Sequence, residues 1–292
     1  ETSEGIFLTS GFVYETAEQA QRAFKGEEDR FIYSRFSNPT VAMFEERMAL
    51  LENAQACRST GTGMAAVNAA LSSSVKAGDR LVASKALFGS CDYICRELLP
   101  KFGIETTMVN GTDLAEWEAA LDKPTAVVFM ETPSNPQMDI IDLERVSNLA
   151  HKVGARVIVD NVLATPILQR PLDFGADVVV YSSTKHIDGQ GRAMGGCILT
   201  NDVDWSEGDL KQFMRHTGPS LSPFNAWVHL KSLETLEIRV RHHCHSAQKV
   251  AEFLECQKII TKVLFPGLKS HPQYELAQKQ MNGPGTVICF EL

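Results

Sequence analysis

The sequence predicts an α/β fold, a mostly parallel sheet flanked by helices, with an arm in front and the start of a smaller α+β domain behind. Three observations carry this. Short apolar runs at 80–84, 106–109, 126–130, 156–160 and 177–181 are rich in Val and Ile and do not alternate with polar residues. Such runs suit strands buried on both faces, as parallel strands are. Between them lie helical patterns at 89–101, 113–121 and 142–153, the alternation that builds a sheet covered by helices. The first 37 residues, by contrast, hold Phe7, Phe12, Tyr14, Phe24, Phe31, Tyr33 and Phe36 without a long period. They read as an arm that packs on something else.

The elements follow in order. Asn38-Pro39 opens an amphipathic helix over 41–51, with Met43, Phe44, Met48 and Leu51 as its core side. A second helix is expected over 63–75. After the five strands, 222–255 reads as one long helical region broken near Arg239, and 262–265 and 286–291 read as strands. The domains expected are an arm over 1–38, a large domain over 39–236, and the start of a small domain over 237–292. That last domain stops inside a strand and reads as incomplete.

Composition excludes several function classes. Hydrophobic residues make up 44% and charged residues 22%, with a formal net charge of −8. An acidic surface repels phosphate backbones, so no nucleic-acid partner is expected. No run of 18 apolar residues exists, so no membrane partner is expected. The front lacks the basic and apolar regions of a signal peptide. Seven cysteines, an odd number with no C-x-x-C pair, read as reduced, mostly buried thiols of a cytoplasmic protein. His242 and His245 share a helix face but suit a zinc pair only loosely, so no metal is expected. No G-x-G-x-x-G follows a strand, which disfavours a dehydrogenase.

Four motifs fall where parallel sheets gather ligands, at the carboxyl ends of strands or the helices after them. Thr60-Gly61-Thr62-Gly63-Met64 turns directly into a helix, whose free N–H groups and positive dipole end suit a phosphate. Asp160 ends an apolar strand, where a buried carboxylate requires a partner. Ser182-Ser183-Thr184-Lys185-His186 follows another strand and precedes a glycine-rich run. A lysine desolvated at such a place loses its proton more readily and becomes a nucleophile, and hydroxyls beside it suit a phosphate. Tyr33-Ser34-Arg35-Phe36 offers a guanidinium fork for an anion. Each motif alone has a bland reading as a cap, a turn or a solvated charge.

Together they resemble the Cys/Met-metabolism family of pyridoxal-phosphate enzymes, of fold type I. Tyr33-Ser34-Arg35-Phe36-Ser37-Asn38-Pro39-Thr40, Glu131-Thr132-Pro133-Ser134-Asn135-Pro136, Asp160-Asn161 and Ser182-Ser183-Thr184-Lys185-His186 carry the resemblance, in matching order across the chain. The resemblance implies pyridoxal 5'-phosphate as cofactor, bonded to Lys185. It implies Asp160 against the pyridinium nitrogen and Gly63 and Met64 giving N–H groups to the phosphate beside Thr62. Ser182 and Thr184 would add hydroxyls, and Phe88 would stack on the ring. Tyr33 and Arg35 would reach the phosphate of a neighbouring subunit's cofactor, making the partner a second copy of the chain, as a dimer and then a tetramer. Glu131 and Asn135 would line cofactor and substrate.

The run Thr184-Lys185-His186-Ile187-Asp188-Gly189-Gln190-Gly191-Arg192, with Arg215-His216-Thr217-Gly218-Pro219, is most similar to the family's branch that joins sulfide to a succinyl ester of homoserine. Lyases of the family usually carry Tyr where this sequence has Phe88. Phe stacks but cannot donate a proton. A thiol leaving group benefits from a donor and a carboxylate does not. Phe88 therefore favours γ-replacement on an O-acylhomoserine, O-succinylhomoserine with sulfide above all, in methionine biosynthesis. The alternatives are a cystathionine γ-synthase, a γ-lyase or a non-catalytic fragment. The family's arginine for the substrate carboxylate falls beyond Leu292.

Overall fold

The computed structural model describes residues 2–292. Seven strands form the main sheet: β1 (Ala56–Thr60), β2 (Arg80–Ser84), β3 (Glu105–Val109), β4 (Val127–Glu131), β5 (Arg156–Asp160), β6 (Val178–Ser182) and β7 (Gly196–Thr200). Their order across the sheet is β1-β7-β6-β5-β4-β2-β3. The five strands from β6 to β3 run parallel; β7 pairs antiparallel with both β6 and β1. The predicted mostly parallel sheet with flanking helices is the one observed.

Side-chain parity explains why the strands read as continuous apolar runs. Val128, Met130, Val157, Val159 and Val179 pack on one face with Phe44, Met48 and Trp117. Val127, Phe129, Ile158, Val178 and Val180 pack on the other with Ala66, Ala70 and Leu71 of the helix Gly63–Ser72. Successive residues point to opposite faces, and helices cover both, so neither face needs polar residues.

Several expectations need correction. The polar, small-residue strand β1 and the glycine-led β7 escaped the sequence reading, which sought Val/Ile runs. The arm contains a helix, Ala17–Lys25, capped by the Thr16 hydroxyl, which accepts the Gln19 N–H. The segment 89–101 is not one helix: an α-turn Gly89–Tyr93 passes through a π-turn to a 3₁₀ turn, Leu99–Phe102. Pro100 has no N–H to give and its ring clashes with the preceding turn, so a regular α-helix cannot continue through it. The long C-terminal helical region breaks at Glu234-Thr235, between helices Pro223–Leu233 and Leu236–Glu255, not near Arg239. Of 286–291 only β9 (Cys289–Glu291) is a strand, antiparallel to β8 (Lys262–Leu264). Among the described residues, no helix is long and apolar enough to cross a membrane.

Candidate active site

Three adjacent strand ends build the floor of the site. Glu131, Asp160 and Ser182 close β4, β5 and β6, and parity turns all three toward the face covered by the helix Gly63–Ser72. Glu131 stands opposite Asp160 in the parallel register. Glu131 is fully buried and Asp160 is 7% exposed. Burial pushes Asp160 up to about 7, against the Val162 N–H that donates to its Oδ1 at 3.1 Å. Burial, then the charge of Asp160, pushes Glu131 up to about 9. Two carboxyls that share a dry site resist being charged together. Among the described residues no cation pairs with Asp160, so the floor presents an acid awaiting a positive partner.

The helix Gly63–Ser72 lies directly on this floor because two residues lack side chains. A Cβ on Gly63 would stand 2.5 Å from the Ser182 Cβ, and one on Gly196 would stand 2.5 Å from the Thr62 carbonyl oxygen. The Thr62 hydroxyl caps the helix by accepting the Ala65 N–H at 3.0 Å. The N–H groups of Gly63 and Met64 precede the first intrahelical bond and stay free for an anion. Among the described residues the Ser182 hydroxyl has no hydrogen-bond partner, whereas the Thr184 hydroxyl accepts the Gly195 N–H at 3.1 Å and donates to the Gly195 carbonyl at 3.3 Å. Thr184 thus fixes the loop before β7.

Lys185 sits in the turn after β6, with its backbone N–H bonded to the Ser182 carbonyl. Its side chain is exposed. The desolvation expected from the sequence is not supplied by the chain's own fold, because the turn projects beyond the strand end. Phe88, 46% exposed, starts the helical turn Gly89–Tyr93. Its N–H donates to Glu131 Oε2 at 2.6 Å, and the Asn135 N–H donates to Glu131 Oε1 at 3.1 Å. Glu131 therefore ties together the two loops that carry Phe88 and Asn135, and both its oxygens are occupied.

Tyr33 and Arg35 are placed differently. Both are exposed. The Arg35 guanidinium lies 4.9 Å from the Phe36 ring centroid and 5.3 Å from that of Tyr33, and it donates to the Arg215 carbonyl. No hydrogen bond joins either residue to Asp160, Ser182 or the helix start at Gly63.

Sequence reasoning missed a buried polar chain behind Asp160. Asn161 donates through Nδ2 to the Tyr181 hydroxyl at 2.6 Å, and that hydroxyl donates to the fully buried Glu52. Burial raises Glu52 to about 8. Gln169 donates to Asn161 Oδ1 and to the Thr132 carbonyl, each at 2.8 Å. The chain stiffens the loops after β4 and β5. The one sequence signal was Tyr181, a hydroxyl inside an apolar strand.

The arrangement fits a flat heteroaromatic cation bearing a phosphate. Among the described residues Asp160 has no cationic partner, the helix start offers free N–H groups where Gly63 packs closely on Ser182, and Lys185 presents an exposed amine on the adjoining turn. Such a site defines a pyridoxal-phosphate enzyme of fold type I. The chain belongs to the family described as Cys/Met metabolism PLP-dependent enzyme, whose model matches residues 1–292. Its cofactor is pyridoxal phosphate, and it is an enzyme of sulfur amino-acid metabolism. It is 54% identical to an O-succinylhomoserine sulfhydrylase of Mycobacterium tuberculosis, covering 100% of this chain and 72% of the relative. It is 44% identical to an L-methionine gamma-lyase of Porphyromonas gingivalis, covering 98% and 72%. The solved cystathionine gamma synthase of Xanthomonas oryzae pv. oryzae, in complex with aminoacrylate and cysteine, superposes with a TM-score of 0.94. That match has 34% identity and covers 99% of this chain and 73% of the other.

Proposed function

We propose that the protein performs γ-replacement on an O-acylhomoserine, converting O-succinylhomoserine and sulfide to homocysteine and succinate. The observation that carries this reading is Phe88, an exposed aromatic ring with no hydroxyl, held at the rim by Glu131. A ring without a proton donor suits a carboxylate that departs unaided better than a thiol that must be protonated. The sulfhydrylase relatives support the same choice.

Roles follow from position. When bound, pyridoxal phosphate supplies an electron sink for the electrons left when the substrate loses a proton. Asp160 would hold the ring nitrogen protonated; Thr62, Gly63, Met64, Ser182 and Thr184 would hold the phosphate end, three by contact and Thr62 and Thr184 by fixing the loops. Lys185 would hold the cofactor through its amine, and that amine would move protons at Cα and then Cβ of the substrate. The succinate oxygen leaves Cγ and sulfide adds there. Asn135 faces substrate, and Glu131 acts by positioning Phe88 and Asn135.

Tyr33 and Arg35 would complete a neighbour's site, in a dimer that pairs into a tetramer in the cytoplasm. Their exposure supports this, as do Leu8, Val13 and Phe24, apolar and exposed on the same arm. The arm over 1–38, the large domain over 39–236 and the small domain starting at 237 would then divide oligomer contact, cofactor and substrate between them.

One experiment compares O-succinylhomoserine, O-acetylhomoserine and methionine, each with sulfide or cysteine. Homocysteine from the succinyl ester and sulfide is the expected dominant product. Rapid ketobutyrate release from methionine would overturn the replacement reading. The second reading, a γ-lyase, is favoured by the L-methionine gamma-lyase relatives and by Tyr33, whose hydroxyl from a neighbour would replace the donor that Phe88 lacks.

A further inference from the structure

The turn that carries Lys185 has more carbonyls than its own backbone satisfies. The Lys185 N–H takes the Ser182 carbonyl, the Asp188 N–H takes that of Ser183 at 2.8 Å, and the Gly189 N–H takes that of Lys185 at 2.7 Å. The carbonyls of His186 and Ile187 are left over. Both are taken by one side chain: Arg239 donates through Nη1 to the His186 carbonyl at 2.7 Å and through Nη2 to that of Ile187 at 3.1 Å. The same guanidinium donates to the Ser232 carbonyl at 3.0 Å and, through Nε, to the Thr235 hydroxyl at 3.2 Å. It therefore bridges the junction of the helices Pro223–Leu233 and Leu236–Glu255 to the lysine turn.

The turn is shaped to receive this fork. Gly189 has φ +69, and a Cβ there would stand 1.9 Å from Arg239 Nη1. Any side chain at 189 would be strained and would expel the guanidinium. On the other side, the buried Asp188 accepts the N–H groups of Gln190 and Arg192 and the Nε of Arg192. Beneath, the Ser183 hydroxyl bonds Nε2 of the buried His229 at 3.2 Å. The exposed amine thus projects from a backbone fixed on three sides, with Arg239 of the C-terminal helix supplying the only hydrogen bonds to the His186 and Ile187 carbonyls among the described residues.

We infer that Arg239 is a positioning residue for Lys185: its planar fork locks the turn that presents the amine, and so makes presentation of the amine depend on the helix Leu236–Glu255. A planar guanidinium reaches two adjacent carbonyls at once, which an ammonium on a flexible stem does not reproduce. The inference rests on Lys185 being the cofactor lysine.

The test uses the cofactor-free full chain. Amide hydrogen exchange is read at Asp188 and Gly189, and the rate at which added pyridoxal phosphate becomes covalently bound is read by visible absorbance. Arg239→Ala is expected to speed exchange at those two amides and slow cofactor capture, each by about tenfold, while β6 amides keep their protection. Arg239→Lys keeps the charge and loses the fork, so it recovers only part of either loss. Wild-type exchange and capture in a folded Arg239→Ala, or full recovery by Arg239→Lys, would overturn the inference. If the alanine variant does not fold, Arg239→Lys alone decides: accelerated exchange supports the fork and unchanged exchange refutes it. Lys185→Ala separates the two claims, because covalent capture that survives in that variant sinks the lysine assignment and not the clamp.

Discussion

The floor of the site and its rim are built by opposite means. Glu131 and Asp160 are buried at strand ends, their positions set by register and by backbone N–H donors within the chain. Lys185, Phe88, Tyr33 and Arg35 are exposed, on turns and on the arm. Buried acids are held by what surrounds them and shift their protonation accordingly; exposed groups are ready to meet a ligand or a second chain. The difference teaches that one polypeptide constructs the acidic floor of the site by itself. The basic and aromatic side is presented at the surface, where the proposed cofactor, substrate and neighbour would complete it.

Breaking the rim at its amine has the largest expected effect. Lys185→Ala should lower kcat by at least about a thousandfold, because it removes both the covalent anchor and the group that moves protons. Borohydride reduction followed by peptide mapping checks it: wild type should carry the cofactor at Lys185 and the variant nowhere.

Breaking the floor comes next. Asp160→Asn should lower kcat by about a hundredfold, since an amide cannot hold a ring nitrogen protonated. The floor also predicts a pH dependence without cofactor. The folded chain favours the neutral forms of Asp160 and Glu131 above their unfolded values. Their contribution to stability is fully present below about pH 4. It is lost as pH rises, through about 7 for Asp160 and about 9 for Glu131. The Tm of the cofactor-free protein should therefore fall from mildly acidic to alkaline pH. Asp160→Asn should flatten the lower part of that slope; an unchanged slope would show that Asp160 is already ionised in the fold.

How much of this was legible in the sequence follows the same division. Asp160 closes an apolar run and announced itself through local pattern, whereas Glu131 lies just past the run read as 126–130 and was legible only through the family resemblance. Gly63 was legible as a helix start, but its closeness to Ser182 was not, because that contact joins residues far apart in the chain. The antiparallel pair β1 and β7 stayed hidden, since Ala56–Thr60 is small and polar and Gly196 reads as a turn. The exposure of Lys185 was missed because a strand-end position suggests burial, while the turn after β6 carries the side chain outward. Arg239 was noticed only as a place where a helix breaks; its role depends on carbonyls some fifty residues earlier.

The proposed dependence of the rim on a neighbour gives the next effect. Arg35→Ala should weaken cofactor binding by about tenfold through loss of a charged phosphate contact, with little change in the fold of the chain. Mixing Arg35→Ala with the inactive Lys185→Ala sharpens the comparison. If Arg35 serves the neighbour's site, mixed dimers contain one site with both native residues and regain cofactor affinity there. If it serves its own chain, every site in the mixture stays defective, and the division between a self-built floor and a shared rim fails.

The smallest expected effect is the most informative about substrate. Phe88→Tyr adds one hydroxyl to an exposed ring whose backbone is anchored by Glu131. The anchor is unchanged, so the floor keeps its geometry and only the rim gains a proton donor. A donor helps a thiol leave and does little for succinate. The variant should raise ketobutyrate release from methionine by about threefold to tenfold, a fraction of the gain ascribed to a full general acid. Its rate with O-succinylhomoserine and sulfide should stay within about a factor of two. If both rates rise together, the hydroxyl acts on a proton transfer common to both substrates. If neither moves, the donor reaches the leaving group from Tyr33 of the neighbour, and the preference for a carboxylate no longer follows from Phe88.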